Sequence, residues 1–150
     1  YPVAYRSRDD RDGSERVRLG ESWGTGSVVL AWQSVRQGSP DPRDGLNVVL
    51  HEFAHQIDQA DGAADGVPEF ELQEDYGRWS RAFAPAYREF CEKVNEGRRT
   101  VMDSYGAENP AEFFAVGTET FFERSKAMKR EEPEVYREMS RFYGMDPASW

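Results

Sequence analysis

The sequence has one cysteine and two histidines. It has no apolar run longer than about five residues, such as Val28 to Trp32, far short of the roughly 20 that a transmembrane helix needs. A transmembrane helix is therefore excluded and no membrane partner is expected. The lone Cys91 leaves no internal disulfide and no zinc site built on cysteine thiolates. It falls in the apolar-periodic stretch Trp79, Phe83, Tyr87, Phe90 and Val94, which reads it as a buried core thiol. An unpaired thiol favours a reducing, cytoplasmic setting. The N-terminus lacks a charged region followed by an apolar stretch, so no secretory signal is expected. The chain opens on Tyr1 and not on Met, and reads as a piece of a longer protein. Positive charge is also scarce: 19 Lys and Arg stand against 28 Asp and Glu, for a net charge of −9. Nucleic-acid binders carry a basic surface, so no nucleic-acid partner is expected. The local cluster Arg124, Lys126, Lys129 and Arg130 is expected at a helix end, where cations complement the macrodipole.

What is present suffices for one packed interior. Apolar residues make up 38% of the chain and aromatic residues 13%, and 150 residues fit a single domain. The exception is the Arg-, Asp-, Glu- and Ser-rich segment within residues 1–18, which has little to bury and is expected to be flexible.

The first third reads as strand and loop. Val28-Val29-Leu30-Ala31-Trp32 is β-prone and follows Gly24 and Gly26. From Asp44 the pattern turns helical, with Leu46, Val49, Leu50, Phe53 and Ile57 on one apolar stripe, and should end near Ala60. A second helix is expected from about Glu74 to Asn95, with Pro85 inside it and Gly97 just past its end. A third opens on Asn109-Pro110, a strong cap followed by a residue suited to the first helical position, and should stop near Lys129. A fourth runs from Pro133 to Gly144. The expected class is α+β: mostly helical, with a small sheet near the N-terminus.

Both histidines sit in His51-Glu52-Phe53-Ala54-His55. Positions four apart share one helix face, so two imidazoles can reach one ion at about 2.0–2.1 Å. Glu52 can then approach a water at the ion without being a ligand. Zinc needs a third protein ligand and an open fourth position. No histidine remains, so the third donor should be a carboxylate. Glu112, which opens the aromatic-rich third helix, is a candidate, and Glu119 and Glu123 on the same helix are others. Asp58 and Glu119 are also candidates to orient the ligating imidazoles, because such a ring usually donates its other N–H to a carboxylate or carbonyl. Val28 and Val29 could present a strand edge to an extended peptide, and Trp23 and Gly24 could let its backbone approach closely.

The chain resembles the Mlc titration factor A family of zinc-dependent peptidases. The resemblance rests on Gly20-Glu21-Ser22-Trp23, on Val28 to Trp32, on Asn47 through Asp58, on Gly66-Val67-Pro68, and on Tyr105 through Val116 with Glu119 and Phe121-Phe122-Glu123 after it. It covers about Gly20 to Trp150. The family is of the gluzincin type, with a zincin-like fold and an active site similar to that of the anthrax lethal factor catalytic domain. In both, a Tyr precedes the ligand Glu by seven residues, as Tyr105 precedes Glu112. The resemblance implies one Zn2+ ion held by His51, His55 and Glu112, Glu52 as general base, and Tyr105 steadying the transition state. It implies peptide or protein substrates, with aminopeptidase-like activity on small peptides. It also implies a second role, binding of a transcriptional repressor.

Overall fold

Asn47 starts the first helix within residues 43–150 of the computed structural model. Its side-chain Oδ1 accepts from the backbone N–H groups of Val49 (3.1 Å) and Leu50 (3.2 Å), satisfying two of the donors that a helix start leaves open. The structure describes residues 43–150 in full, with Val35 and the backbone of residues 20–23 and 27–30 before them.

Helix α1 spans Val48–Asp58 and passes into a 3-10 turn at Gln59–Asp61. Helix α2 spans Gln73–Asn95 and contains Pro85. A 3-10 turn at Ser104–Ala107 precedes α3, Pro110–Glu123. Asn109 caps α3 by accepting from the Glu112 N–H at 3.0 Å, with Pro110 next in sequence as expected. Helices α4 (Ser125–Glu131) and α5 (Pro133–Tyr143) follow, and Gly144 ends α5 in the left-handed conformation at φ 65°.

The α+β class is corrected. Residues 43–150 contain no strand, and helix accounts for 71% of the described residues. Among the described residues there is no N-terminal sheet beyond two paired strands. Among the described residues the strand-forming tendency of the first third yields a backbone hairpin, β1 (Gly20–Trp23) against β2 (Ser27–Leu30), paired Gly20 to Leu30 through Trp23 to Ser27. Two strands make a ribbon, not a layer that could carry a core.

Three smaller expectations also change. Helix α1 begins at Val48, four residues later than Asp44 and just after the Asn47 cap. Its supposed apolar stripe is not its buried face, since Leu46 and Phe53 are exposed while Glu52, Ala54 and Asp58 are buried. The third helix stops at Glu123 and not near Lys129, because Arg124 leaves helical geometry (φ −124°, ψ 35°). Its guanidinium reaches back to the Val101 carbonyl at 2.8 Å.

The core lies between α2, α3 and α5. Trp79 stacks on Phe83 with ring centroids 3.8 Å apart, and Phe113 meets Phe83, Tyr87 and Phe90. Phe114 meets Trp79 and Phe142. Cys91 lies only half-buried beside this cluster, its Sγ 3.9 Å from the Ala107 carbonyl.

Candidate metal centre

The i, i+4 spacing on α1 places His51 and His55 on one edge of that helix, facing the first turn of α3. Their Nε2 atoms are 3.1 Å apart. Glu112 Oε2 lies 3.0 Å from His51 Nε2 and 3.4 Å from His55 Nε2. These residues form the group capable of holding a metal ion among the described residues.

The donor set passes a physical test. Four ligands around zinc at about 2.0–2.1 Å bring neighbouring ligand atoms to about 3.3–3.4 Å from one another, close to the separations here. The other ring nitrogen of His51, Nδ1, lies 2.8 Å from Glu119 Oε1. A carboxylate there holds the proton on Nδ1 and leaves the Nε2 lone pair facing the cluster. Glu112 Oε2 is buried and finds no hydrogen bond of acceptable geometry, although it faces both rings. Two lone-pair nitrogens and an acceptor oxygen repel one another unless a cation, or a proton, stands among them.

The electrostatics agree. Burial lowers the His51 pKa, but the Glu112 and Glu119 carboxylates beside its two ring nitrogens outweigh this and raise it from 6.5 to about 9. Burial raises the Glu112 pKa, but the two imidazoles outweigh it and bring it to about 2. Among these groups alone, a proton on His51 fills the position that a metal would take.

Glu119 is 5% exposed and holds more than a histidine. Its Oε2 accepts from the backbone N–H of Asn47, the cap of α1. Glu123, one turn further on α3, takes the Asn47 Nδ2 donor at 2.8 Å and the Gly45 N–H at 3.0 Å. Glu119 and Glu123 therefore tie α3 to the start of α1 and stand outside the three-residue cluster. Asn47, which both glutamates hold, lies outside the candidate site residues read from the sequence. An Asn directly before Val48-Val49-Leu50 is the sequence signal for it, as a helix cap.

Glu52 is buried on α1. Tyr105 stands on the 3-10 turn before α3, its ring 6.1 Å from that of His51. Burial and then the charges of Glu112, Glu108 and Glu52 raise its pKa, so it remains a phenol able to donate. Behind it Gly106 packs tightly, a Cβ there falling 3.3 Å from the Phe90 ring. Asp58 does not meet an imidazole nitrogen: its Oδ1 accepts from the Gly66 N–H at 2.8 Å. The side chains of Trp23, Val28 and Val29, and all of Gly24, lie outside the described residues.

A helix carrying His-Glu-x-x-His, with a carboxylate brought to it by a second helix, defines a metallopeptidase-like domain. The chain belongs to the glucose-regulated metallo-peptidase M90 family, whose profile matches residues 1–144. It is 40% identical to the uncharacterized protein slr2042 of Synechocystis sp. (strain ATCC 27184 / PCC 6803 / Kazusa) over 98% of this chain and 56% of that protein. It is 37% identical to the Mlc titration factor A of Yersinia pestis (strain Pestoides F), over 89% of this chain and 49% of that one. The Mlc titration factor A of Yersinia pseudotuberculosis serotype O:1b (strain IP 31758) matches to the same extent. The chain thus spans about half the length of these relatives. Family membership and the His51, His55, Glu112 group together suggest a bound metal ion. Among the described residues no helix is long and apolar enough to cross a membrane.

Proposed function

We propose that this chain is the catalytic part of a zinc-dependent metallopeptidase that hydrolyses peptide bonds, with His51, His55 and Glu112 holding one zinc ion. The observation that carries the reading is the approach of His51 Nε2, His55 Nε2 and Glu112 Oε2 to within 3.0–3.4 Å of one another. When bound, the ion supplies Lewis-acid polarisation of the substrate carbonyl and makes water at the site more acidic. Glu52, on the same helix and between the two histidines, takes the proton from the attacking water and passes it to the leaving amine. The Tyr105 hydroxyl, kept protonated by burial and its acidic neighbours, donates to the oxygen on which negative charge develops. Glu119 holds His51 in the tautomer that presents Nε2. The substrate class is small peptides, cut in an aminopeptidase-like manner, in a cytoplasmic setting consistent with the one unpaired cysteine.

The test is peptide hydrolysis by the zinc-loaded chain, with and without a chelator, beside Glu52→Gln. The variant should keep its zinc and lose hydrolysis by about 10²–10⁴-fold. Undiminished turnover in metal-loaded Glu52→Gln would remove Glu52 from the role of base.

A second reading has one specific observation behind it. Two of the relatives carry the name Mlc titration factor A, and a domain of this kind could bind a transcriptional repressor, with or without turnover. Partner binding that is indifferent to chelator, in a chain that hydrolyses nothing, would favour this reading over the first.

A further inference from the structure

The two helices that carry the ligand side chains meet at a glycine outside the metal cluster. Gly66 makes contacts through each part of its backbone. Its N–H donates to Asp58 Oδ1 at the end of α1, 2.8 Å away and buried. Its carbonyl accepts from the Trp79 indole N–H of α2 at 3.0 Å, also buried. Its Cα lies so close to the first residue of α3 that an added Cβ would fall 2.3 Å from the Pro110 carbonyl oxygen and 2.7 Å from its carbon. With φ at +78°, the position suits glycine on conformational grounds as well.

There is no slack in this junction. Asp58 lies one turn beyond His55 on α1, and Glu112 lies two residues beyond Pro110 in the first turn of α3. Gly66 thus bridges the Asp58 carboxylate at the end of α1 to the start of α3, two residues before Glu112. Ligand atoms in a genuine metal site lie within about 0.2 Å of their standard distances, so the placement of α3 against α1 matters. Asp58 is also fully buried (0% exposed), and its Oδ2 has no hydrogen-bond partner. A buried carboxylate with one oxygen unpartnered is costly, more than capping a surface loop requires.

We infer that Asp58 is a positioning residue for the metal centre: by holding Gly66 against the start of α3, it fixes the separation between the histidine-bearing and glutamate-bearing helices. This rests on the zinc-site reading above and adds to it a residue that touches neither metal nor substrate.

The experiment measures zinc affinity of the metal-free 150-residue chain by competition with a chromophoric chelator. It also records the visible absorption bands of the cobalt-substituted chain, which report coordination geometry. The chains compared are wild type, Asp58→Ala, Asp58→Asn and Trp79→Phe. Asp58→Ala should bind zinc about tenfold to a hundredfold more weakly and shift the cobalt bands. Asp58→Asn keeps an acceptor for the Gly66 N–H and should restore both. Trp79→Phe loses the donor to the Gly66 carbonyl but keeps a stacked ring, and should weaken zinc binding by less than Asp58→Ala. A role confined to stability predicts lower melting temperatures with wild-type zinc affinity and cobalt bands. That result in a folded Asp58→Ala overturns the positioning role. Should Asp58→Ala fail to fold, wild-type zinc affinity in Trp79→Phe overturns it and weakened affinity supports it. A wild-type chain that binds no zinc overturns the metal site itself, together with this inference.

Discussion

Helix α3 presents carboxylates to α1 and aromatic rings to α2 and α5, and the two faces are built on different physics. Toward α1 it sends Glu112, Glu119 and Glu123, which meet two imidazoles, a helix cap and a loop N–H. Toward the rest of the domain it sends Phe113, Phe114 and Phe121, each packed on two or more other rings. Ring packing gains from area removed from water and tolerates modest shifts. The carboxylate face depends on direction and charge, and each of its groups would be costly if left without a partner. Stability should therefore reside mainly on the aromatic side and metal affinity mainly on the acidic side, with one rigid helix connecting them.

The first way to break this division is to empty part of the aromatic side. Phe114 is fully buried between Trp79 and Phe142, and Phe114→Ala should cost about 3–5 kcal/mol of stability. Zinc affinity of the variant, measured below its unfolding transition, should stay close to wild type. A large loss of affinity in a folded Phe114→Ala would show that the two faces are not separable. The converse is Tyr105→Phe. Tyr105 is 54% exposed, so its hydroxyl contributes little to folding. Loss of one donor to a developing oxyanion should lower turnover about 10²–10³-fold while leaving zinc content and melting temperature near wild type. A variant that melts much earlier and keeps its turnover would move Tyr105 to the structural side.

The two faces were not equally legible in the sequence. The aromatic side could be read from periodicity, since Trp79, Phe83 and Phe90 recur at helical spacing and Asn109-Pro110 announces α3. His51 and His55 could be read because four-residue spacing on a helix leaves little choice of direction. The third ligand could not: Glu112, Glu119 and Glu123 all lie on the acidic face of α3, and spacing alone does not say which reaches the imidazole Nε2 atoms and which the Nδ1. That depends on how far α3 sits along α1, a tertiary quantity fixed by contacts such as Gly66 on Pro110. The α1 stripe misled for a related reason. Apolar residues usually mark the buried face, but here α1 turns Glu52 and Asp58 inward, and Phe53 is exposed. The break at Arg124 carries no proline or glycine to announce it. The expected sheet failed because a β-prone run indicates local extension, not how many strands will join it.

Glu119 separates the acidic face into groups that bind and groups that orient. Glu119→Gln keeps the size of the side chain and an oxygen for the Asn47 N–H or for His51 Nδ1, but removes the negative charge that favours the Nδ1–H tautomer. Zinc affinity should fall about tenfold to a hundredfold, as read by chelator competition. Glu123→Gln, tied to the same cap but not to a histidine, should leave affinity near wild type. Equal losses in the two variants would mean that Glu119 acts through the α1 cap and not through His51.

The gentlest probe is pH. His51 is raised from 6.5 to about 9 in the metal-free chain, and Glu112 is lowered to about 2. Because the folded-state value for His51 lies above the unfolded one, the protonated imidazole stabilises the metal-free fold fully below pH 6.5. That contribution is lost as pH rises through about 9. Zinc must displace this proton. Apparent affinity should therefore rise by about tenfold per pH unit through the neutral range and level off near the His51 value. Glu112 is already ionised throughout and adds no second proton. On the aromatic side Tyr143, pushed up to about 12 by burial, does not titrate in this window, so the dependence belongs to the acidic face alone. Calorimetric titration with zinc near pH 7.5, repeated in buffers of different ionisation enthalpy, should count about one proton released per ion bound. Release of none would mean that His51 is neutral in the free chain and that its pairing with Glu112 and Glu119 does not hold in solution.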